Sequence, residues 1–195
     1  MWYVDKTKVA TDEEISRIAL SEVFKDDRAT FKISFLGNDG VGKTTLSTNY
    51  LGSDFDAGTK QTLGCEFLTK EITITGLKIR FQYFIITVNK QFKTLISTYI
   101  KGSQVIALMY DITNFNTLIS LNELIQTIRE NHPKISIILI GNKLDLVEHR
   151  DVPKESVTAI AIENRLVAHI EISSKTGENI EELFDLITKI ILKRY

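Results

Sequence analysis

The chain is short of several things. Among its 195 residues there is one cysteine, Cys65, and there are two prolines, Pro133 and Pro153. A single cysteine excludes an internal disulfide framework and suits a reducing compartment. No low-complexity linker and no internal repeat interrupts the chain. The longest aliphatic run, "ISIILI" at Ile135–Ile140, is far too short to span a bilayer. The leading "MWYVDKTKVA" has no apolar core of a secretory signal. Residue 2 is Trp rather than Gly, and no cysteine lies near "ILKRY". Neither N-myristoylation nor C-terminal prenylation is therefore expected. His132, His149 and His169 are far apart and lack metal-ligand spacing. The formal net charge is −1, so nothing suggests nucleic acid or an anionic membrane as a partner. One absence is local: between Ile72 and Tyr110 there is no Asp or Glu, while Lys78, Arg80, Lys90, Lys93 and Lys101 lie there.

What is present is an ordinary globular balance, 43% apolar and 25% charged, at a length that fits one well-cored domain. Apolar strand-like runs alternate with helix-like segments. "ATFKISFLG", "QVIALMY", "ISIILIG" and "VAHIEIS" are the strands, and "CEFLTKEITIT" and "LKIRFQYFII" form a hairpin through Gly76. "GKTTLSTNYL", "TLISLNELIQTIREN", "KESVTAIAIENR" and "NIEELFDLITKIILKR" are helices. Near-continuous apolar strands between helices predict an α/β fold with a mostly parallel sheet covered on both faces. Thr11–Asp27 stands outside this alternation. Thr11 and Glu14 form a capping-box pattern, and Ile15, Ile18, Ala19 and Val23 share a helical face. Residues 1–28 are thus expected to be an extension with an extra amphipathic helix, and 29–195 the main domain.

Gly37–Thr44, "GNDGVGKT", matches G-x-x-x-x-G-K-[ST] between a strand and a helix. The chemistry follows from that context. Glycines allow backbone N–H groups to converge on an anion. The backbone of Asp39, Gly40, Val41, Gly42, Lys43, Thr44 and Thr45 would wrap phosphates. Lys43 would bring a mobile charge to the β- and γ-phosphates, and the Thr44 hydroxyl suits Mg²⁺, which prefers oxygen. Alone, this loop says only nucleoside triphosphate.

Two further loops follow strands. In "GNKLDL", Gly141–Leu146, Asp145 could accept two hydrogen bonds from a guanine edge that adenine cannot offer. Asn142 could bond the base edge and neighbouring loops, and Lys143 could lay its stem on the ring, with Leu146 beside it. In "ISSKTG", Ile172–Gly177, the Ser174 N–H could reach guanine O6. Ser173 borders it, and Lys175 could cover the other face of the base. Either motif alone is weak; their order after a phosphate loop is specific. Asp145 also disfavours an ATP-using enzyme.

From about Ala29 to Arg194 the chain resembles the Ras superfamily of small GTPases, most closely its Rab-type branch. "GNDGVGKTTL", "KQTLGCEF", "YDIT", "GNKLDL" and "EISSKTG" stand in that family's order. The resemblance implies a P-loop NTPase fold of the Ras-like G domain type, with six strands, one antiparallel, and five helices. It implies GTP or GDP with Mg²⁺ as ligand, and protein effectors or regulators as partners. It implies a cytoplasmic location, with membrane association only through a partner. Phe55 falls where the family sets an aromatic against guanine. Thr62 matches the threonine that closes on Mg²⁺ and the γ-phosphate, and Lys60 shares its loop.

The resemblance fails at one place. Where the family carries W-D-T-A-G-Q-E, this chain has "FIITVNK", Phe84–Lys90. Ile85 replaces a cation-holding Asp, Val88 a mobile Gly, and Asn89 the Gln that orients water. Asp39 adds a carboxylate beside the γ-phosphate position. The expectation is a guanine-nucleotide binder that hydrolyses GTP slowly or not at all, with no catalytic residue assigned. The alternative is a normally cycling protein in which other residues rescue the chemistry. The Thr11–Asp27 segment carries −4 against the +5 of Ile72–Tyr110. Two readings stand open: it docks on that basic region, or it packs elsewhere or stays solvated.

Overall fold

The computed structural model describes residues 28–51, 65–74, 77–88 and 96–193. Six strands form one sheet: β1 (Arg28–Gly37), β2 (Cys65–Ile74), β3 (Leu77–Thr87), β4 (Val105–Asp111), β5 (Ser136–Asn142) and β6 (Ala168–Glu171). The strand order is β2-β3-β1-β4-β5-β6. Only β2–β3 is antiparallel, and every other pair is parallel. The expected α/β architecture is the one observed. Helices are α1 (Lys43–Leu46), continued by a π-helical turn Ser47–Leu51, α2 (Ile96–Ile100), α3 (Phe115–Asn131), α4 (Lys154–Glu163) and α5 (Ile180–Leu192). The Thr11–Asp27 helix lies outside the described residues, as do Phe55, Lys60, Thr62 and Asn89. Among the described residues no helix is long and apolar enough to cross a membrane.

Alternation in β1 explains the two-faced sheet. Phe31, Ile33 and Phe35 point into a core shared with Leu46 of α1 and with Ile180, Leu183, Ile187 and Ile191 of α5. Those α5 residues recur at helical spacing, so one stripe covers the sheet. Leu36 points the other way, into a core with Ile96 and Ile100 of α2, Leu118 to Ile128 of α3 and Val157 of α4. Each buried Leu, Ile or Phe contributes about 1.5–3 kcal/mol by leaving water. β4 and β5 are buried at every residue, which is why they read as unbroken aliphatic runs.

Local chemistry sets the helix ends. Asn114 caps α3, its side chain accepting the Asn116 N–H at 3.1 Å, so the helix starts two residues before the expected Thr117. It stops at His132, before Pro133. Cys65 is 9% exposed and packs on the α2–α3 face, where burial pushes its thiol pKa up. The strand order reverses between β1 and β4, and ligands of such sheets lie beyond the strand C-termini at that point. The loops after β1, β5 and β6 all leave from that end.

Candidate functional site

The loop after β1 turns on two glycines at positive φ, Gly40 at 75° and Gly42 at 96°. Gly42 is constrained twice, because a Cβ there would run into the Asn142 side-chain amide. Lys43 is 5% exposed. Its ammonium donates to Gly37 O at 2.9 Å and Asn38 O at 2.6 Å. Burial lowers its pKa to about 8, with the Asp39 carboxylate partly opposing that. Asp39 folds back, its Oδ1 accepting the Gly40 N–H at 3.0 Å. Thr44 and Thr45 are exposed, while Val41 is buried in the core. The Asn38 side chain is tied to α3, where Ser120 Oγ donates to its Oδ1 at 2.8 Å.

Asn142 is the centre of the other half. It ends β5 and is 1% exposed. Its Nδ2 donates to Val41 O at 2.7 Å. Its Oδ1 accepts the Ser174 N–H at 2.9 Å and the Ser174 hydroxyl at 3.0 Å. Asn142 thus bonds neighbouring loops on both sides, and the Ser174 N–H has the Asn142 side-chain oxygen as its acceptor. The reason is burial: a polar side chain this enclosed must find partners within the protein.

Asp145 is reached by Ser173 Oγ at 2.7 Å, and Lys175 Nζ lies 4.0 Å from its other oxygen. The carboxylate is thus held by one loop neighbour at each oxygen. Lys143 sits at φ 69° and forms an ion pair with Asp111 Oδ2 at 2.6 Å. Burial pushes the Asp111 carboxyl up, but hydrogen bonds from Lys143 and Thr113 outweigh it, and it ends below its ordinary value. Leu146 is 37% exposed at the rim. The expected residues of the three loops therefore do converge. Asp111, Asn38, Ser120 and Asn49, whose Nδ2 donates to Ser174 O at 3.0 Å, join them without having been singled out from the sequence. Only Asp111 had a signal, in "YDIT".

Beneath the base loops the sheet is packed tightly. A Cβ on Gly141 would meet Tyr110 Oη at 2.6 Å. That hydroxyl lies 3.1 Å from His169 Nε2, whose pKa burial lowers. Beside them Arg150 grips Glu171 through two bonds of 2.7 and 2.8 Å.

The family model described as "Ras family" matches residues 32–193. The chain belongs to the Ras family. That family binds GTP and GDP, generally with Mg²⁺, and acts through effectors and regulators.

The end of β3 is held within the sheet. Ile85 is 5% exposed and belongs to the core cluster that holds Phe35, Val41 and Met109. The β1–β3 register continues unbroken to Gly37↔Thr87, and the Val88 N–H then donates to Gly37 O at 3.0 Å. A divalent cation of the family's kind fits these residues poorly. Ile85 offers no donor, and Thr44 is the one expected oxygen ligand that the described residues present. Glu66, across from Ile85 on β2, is engaged by Ser47 Oγ at 3.3 Å.

Proposed function

We propose that this Ras-family chain is a Rab-like guanine-nucleotide-binding module that hydrolyses GTP slowly or not at all. Residues 29–195 form its G domain, and 1–28 are an added segment. The nucleotide is held by the loop Asp39–Thr45, by Asp145 on the base, and by Lys143, Leu146, Ser173, Ser174 and Lys175 around it. Asn142 acts by locking the loops together. Phe55, Lys60 and Thr62 complete the enclosure. Its state changes by nucleotide exchange, and its readers are proteins.

The observation that carries this reading is the unbroken end of β3. Hydrolysis in this family needs a water oriented by a residue after that strand, with phosphate charge stabilised as it develops. Here the strand runs on as paired β-structure through Thr87. Val is stiff and avoids positive φ, so the backbone cannot peel away as a glycine would. Asn at position 89 is one methylene shorter than Gln.

Single-turnover GTP hydrolysis on the full chain tests the proposal. The expected rate falls well below the intrinsic Ras value, on the order of 10⁻⁴ s⁻¹. A rate equal to that of an intact family member returns the chain to the cycling class. The nucleotide that co-purifies is a second readout: GTP is expected, and GDP alone would indicate turnover.

A further inference from the structure

We propose that the groove between the β2–β3 hairpin and α5 is the docking site of this chain's own segment Ile15–Val23, seated there as a helix. The segment lies outside the described residues, while the groove is formed entirely within them.

The groove has a volume of about 410 Å³. Ile72 of β2 with Phe81 and Tyr83 of β3 forms one side, and Phe184 of α5 forms the other. Ile72 and Phe184 are only half-buried where they pack on the core, so apolar surface is left uncovered there. The Tyr83 ring meets Phe184 edge-on, with centres 5.9 Å apart. Tyr83 is 4% exposed, yet its hydroxyl has no hydrogen-bond partner among the described residues. No side-chain oxygen among them is sealed from solvent without a partner, so this hydroxyl opens into the groove. A buried tyrosine with an unused donor needs an acceptor brought from outside the fold. Charge divides the two walls: Lys70 stands on the hairpin, Glu181 and Asp185 on α5. Lys78 and Arg80 alternate to the opposite face of β3, where Arg80 is tied to Glu71, so Lys70 is the cation of the groove.

Chain geometry selects the occupant. Residues 1–27 run directly into Arg28, where β1 begins. Ala29 pairs with Ile79, and Ile79 with Ile72, so the chain enters beside the row that closes one end of the groove, about 10 Å from Ile72. Phe24–Asp27 separate Val23 from Arg28, and that connection reaches about 17 Å when extended. From Ile79 to Tyr83 the groove rises about 13 Å. Ile15–Val23 as a helix rises about 12 Å, so the two lengths match. Val23 then sits by Ile72 and Ile15 by Tyr83, with Ile18 and Ala19 between them. Glu22 shares that stripe, four residues after Ile18 and three after Ala19. Lys70 is the cation within its reach, while Glu181 and Asp185 repel it from the α5 wall. Asp12, three residues before Ile15 on the same face, brings an acceptor to the Tyr83 hydroxyl. A helix this short is marginal in water by itself, so its order depends on the groove.

Amide hydrogen exchange of the full chain, resolved by residue, tests the proposal. Ile15–Val23 should exchange at least about tenfold more slowly than unprotected amides. Ile18→Asp should abolish that protection and shift the Ile72 and Phe184 resonances. Lys70→Glu should cut it about threefold, and adding Glu22→Lys should restore it. These positions lie in the segment or on the groove wall, so the core of the sheet is untouched. A second readout is proximity. With Cys65 replaced by Ser, Val23→Cys and Ile72→Cys should join in an intramolecular disulfide on mild oxidation. Unprotected exchange across Ile15–Val23 overturns the proposal, because the segment is then solvated. Protection that survives both Ile18→Asp and Lys70→Glu also overturns it, because the segment then packs elsewhere. Disulfide-linked dimers, or protection that falls on about tenfold dilution, give the groove to a second copy and overturn it as well.

Discussion

The base end and the end of β3 are both held by hydrogen bonds, but the bonds do different work. At the base end, Asn142 links the loop after β1 to the loop after β6, and Ser173 and Lys175 hold Asp145 beside it. Bracing there prepares a pocket. At the end of β3, on the proposed reading, the bracing takes up the group that would sense phosphate, because the Val88 N–H is bonded to Gly37 O. Bracing there closes an option. Rigidity alone therefore does not distinguish a working site from a silenced one. The deciding question is whether the fixed groups still point outward.

The largest effect is expected at Asp145. Its replacement by Ala removes the acceptor that pairs with guanine donors, and a site built around such a bond discriminates strongly. Guanine-nucleotide affinity should fall by about 100-fold or more, measured by titration. A fall of under tenfold would mean the base is not read here, and the base end would lose its standing as the prepared half. Asn142→Ala should act through stability as well. It strands Val41 O and the Ser174 N–H in a buried place, each at about 1–3 kcal/mol. Thermal unfolding of the nucleotide-free chain should drop by roughly 6–12 °C for a loss of about 3 kcal/mol. Gly141→Ala comes next, at about 1–3 kcal/mol, because its methyl collides with a Tyr110 side chain that the core encloses. The double variant with Tyr110→Phe should recover part of that loss in chemical denaturation.

The Arg150–Glu171 pair gives the base end a pH signature. Burial pushes Glu171 up, but the Arg150 hydrogen bonds and charge outweigh it, and its carboxyl titrates below the ordinary 4.5. A carboxyl depressed in the folded state contributes stability above its unfolded pKa and loses it as pH falls through the folded value. Arg150→Met leaves burial unopposed. The variant should be about 2 kcal/mol less stable at pH 7. The gap should narrow below pH 4.5, as protonation removes the stranded charge. Denaturant midpoints across that range check both the size and the sign.

Much of this was legible in the sequence, and the part that was not has a common cause. The phosphate loop and the strand alternation are written in neighbouring residues, so spacing reveals them. The core-facing β4 and β5 announced themselves as aliphatic runs. Asn142 was expected to bond neighbouring loops, but its particular partners lie 101 and 32 residues away, and no local pattern names them. Asp111 closing on Lys143 is the same kind of contact. The start of α3 was missed because the Asn114 cap lies outside the apolar repeat. Ile85 and Val88 could be read directly as departures from the resemblance. That β3 would stay paired through them could not, since register is a property of two strands.

The smallest predicted effect tests whether the closed half depends on more than the Val88 bond. Lys32 reaches from β1 to the end of α2, donating to Tyr99 O at 2.5 Å and Lys101 O at 2.9 Å. Its ammonium also lies 4.0 Å from the centre of the Phe84 ring, and Phe84 packs at a tilt against Phe67 with ring centres 4.9 Å apart. One cation thus ties β1, the last turns of β3 and the helix that follows. Lys32→Met keeps the stem packing and removes the donor, while water can take over the half-exposed carbonyls. The loss should be about 1 kcal/mol, or roughly 2–4 °C in the melt. Amide exchange should quicken across Ile96–Ile100, and nucleotide affinity should hold within about twofold. If the variant instead gains a preference for GTPγS over GDP, the closure of β3 is a property of this three-way tie. In that case the two ends of the molecule differ by one lysine's reach and not by the substituted strand itself.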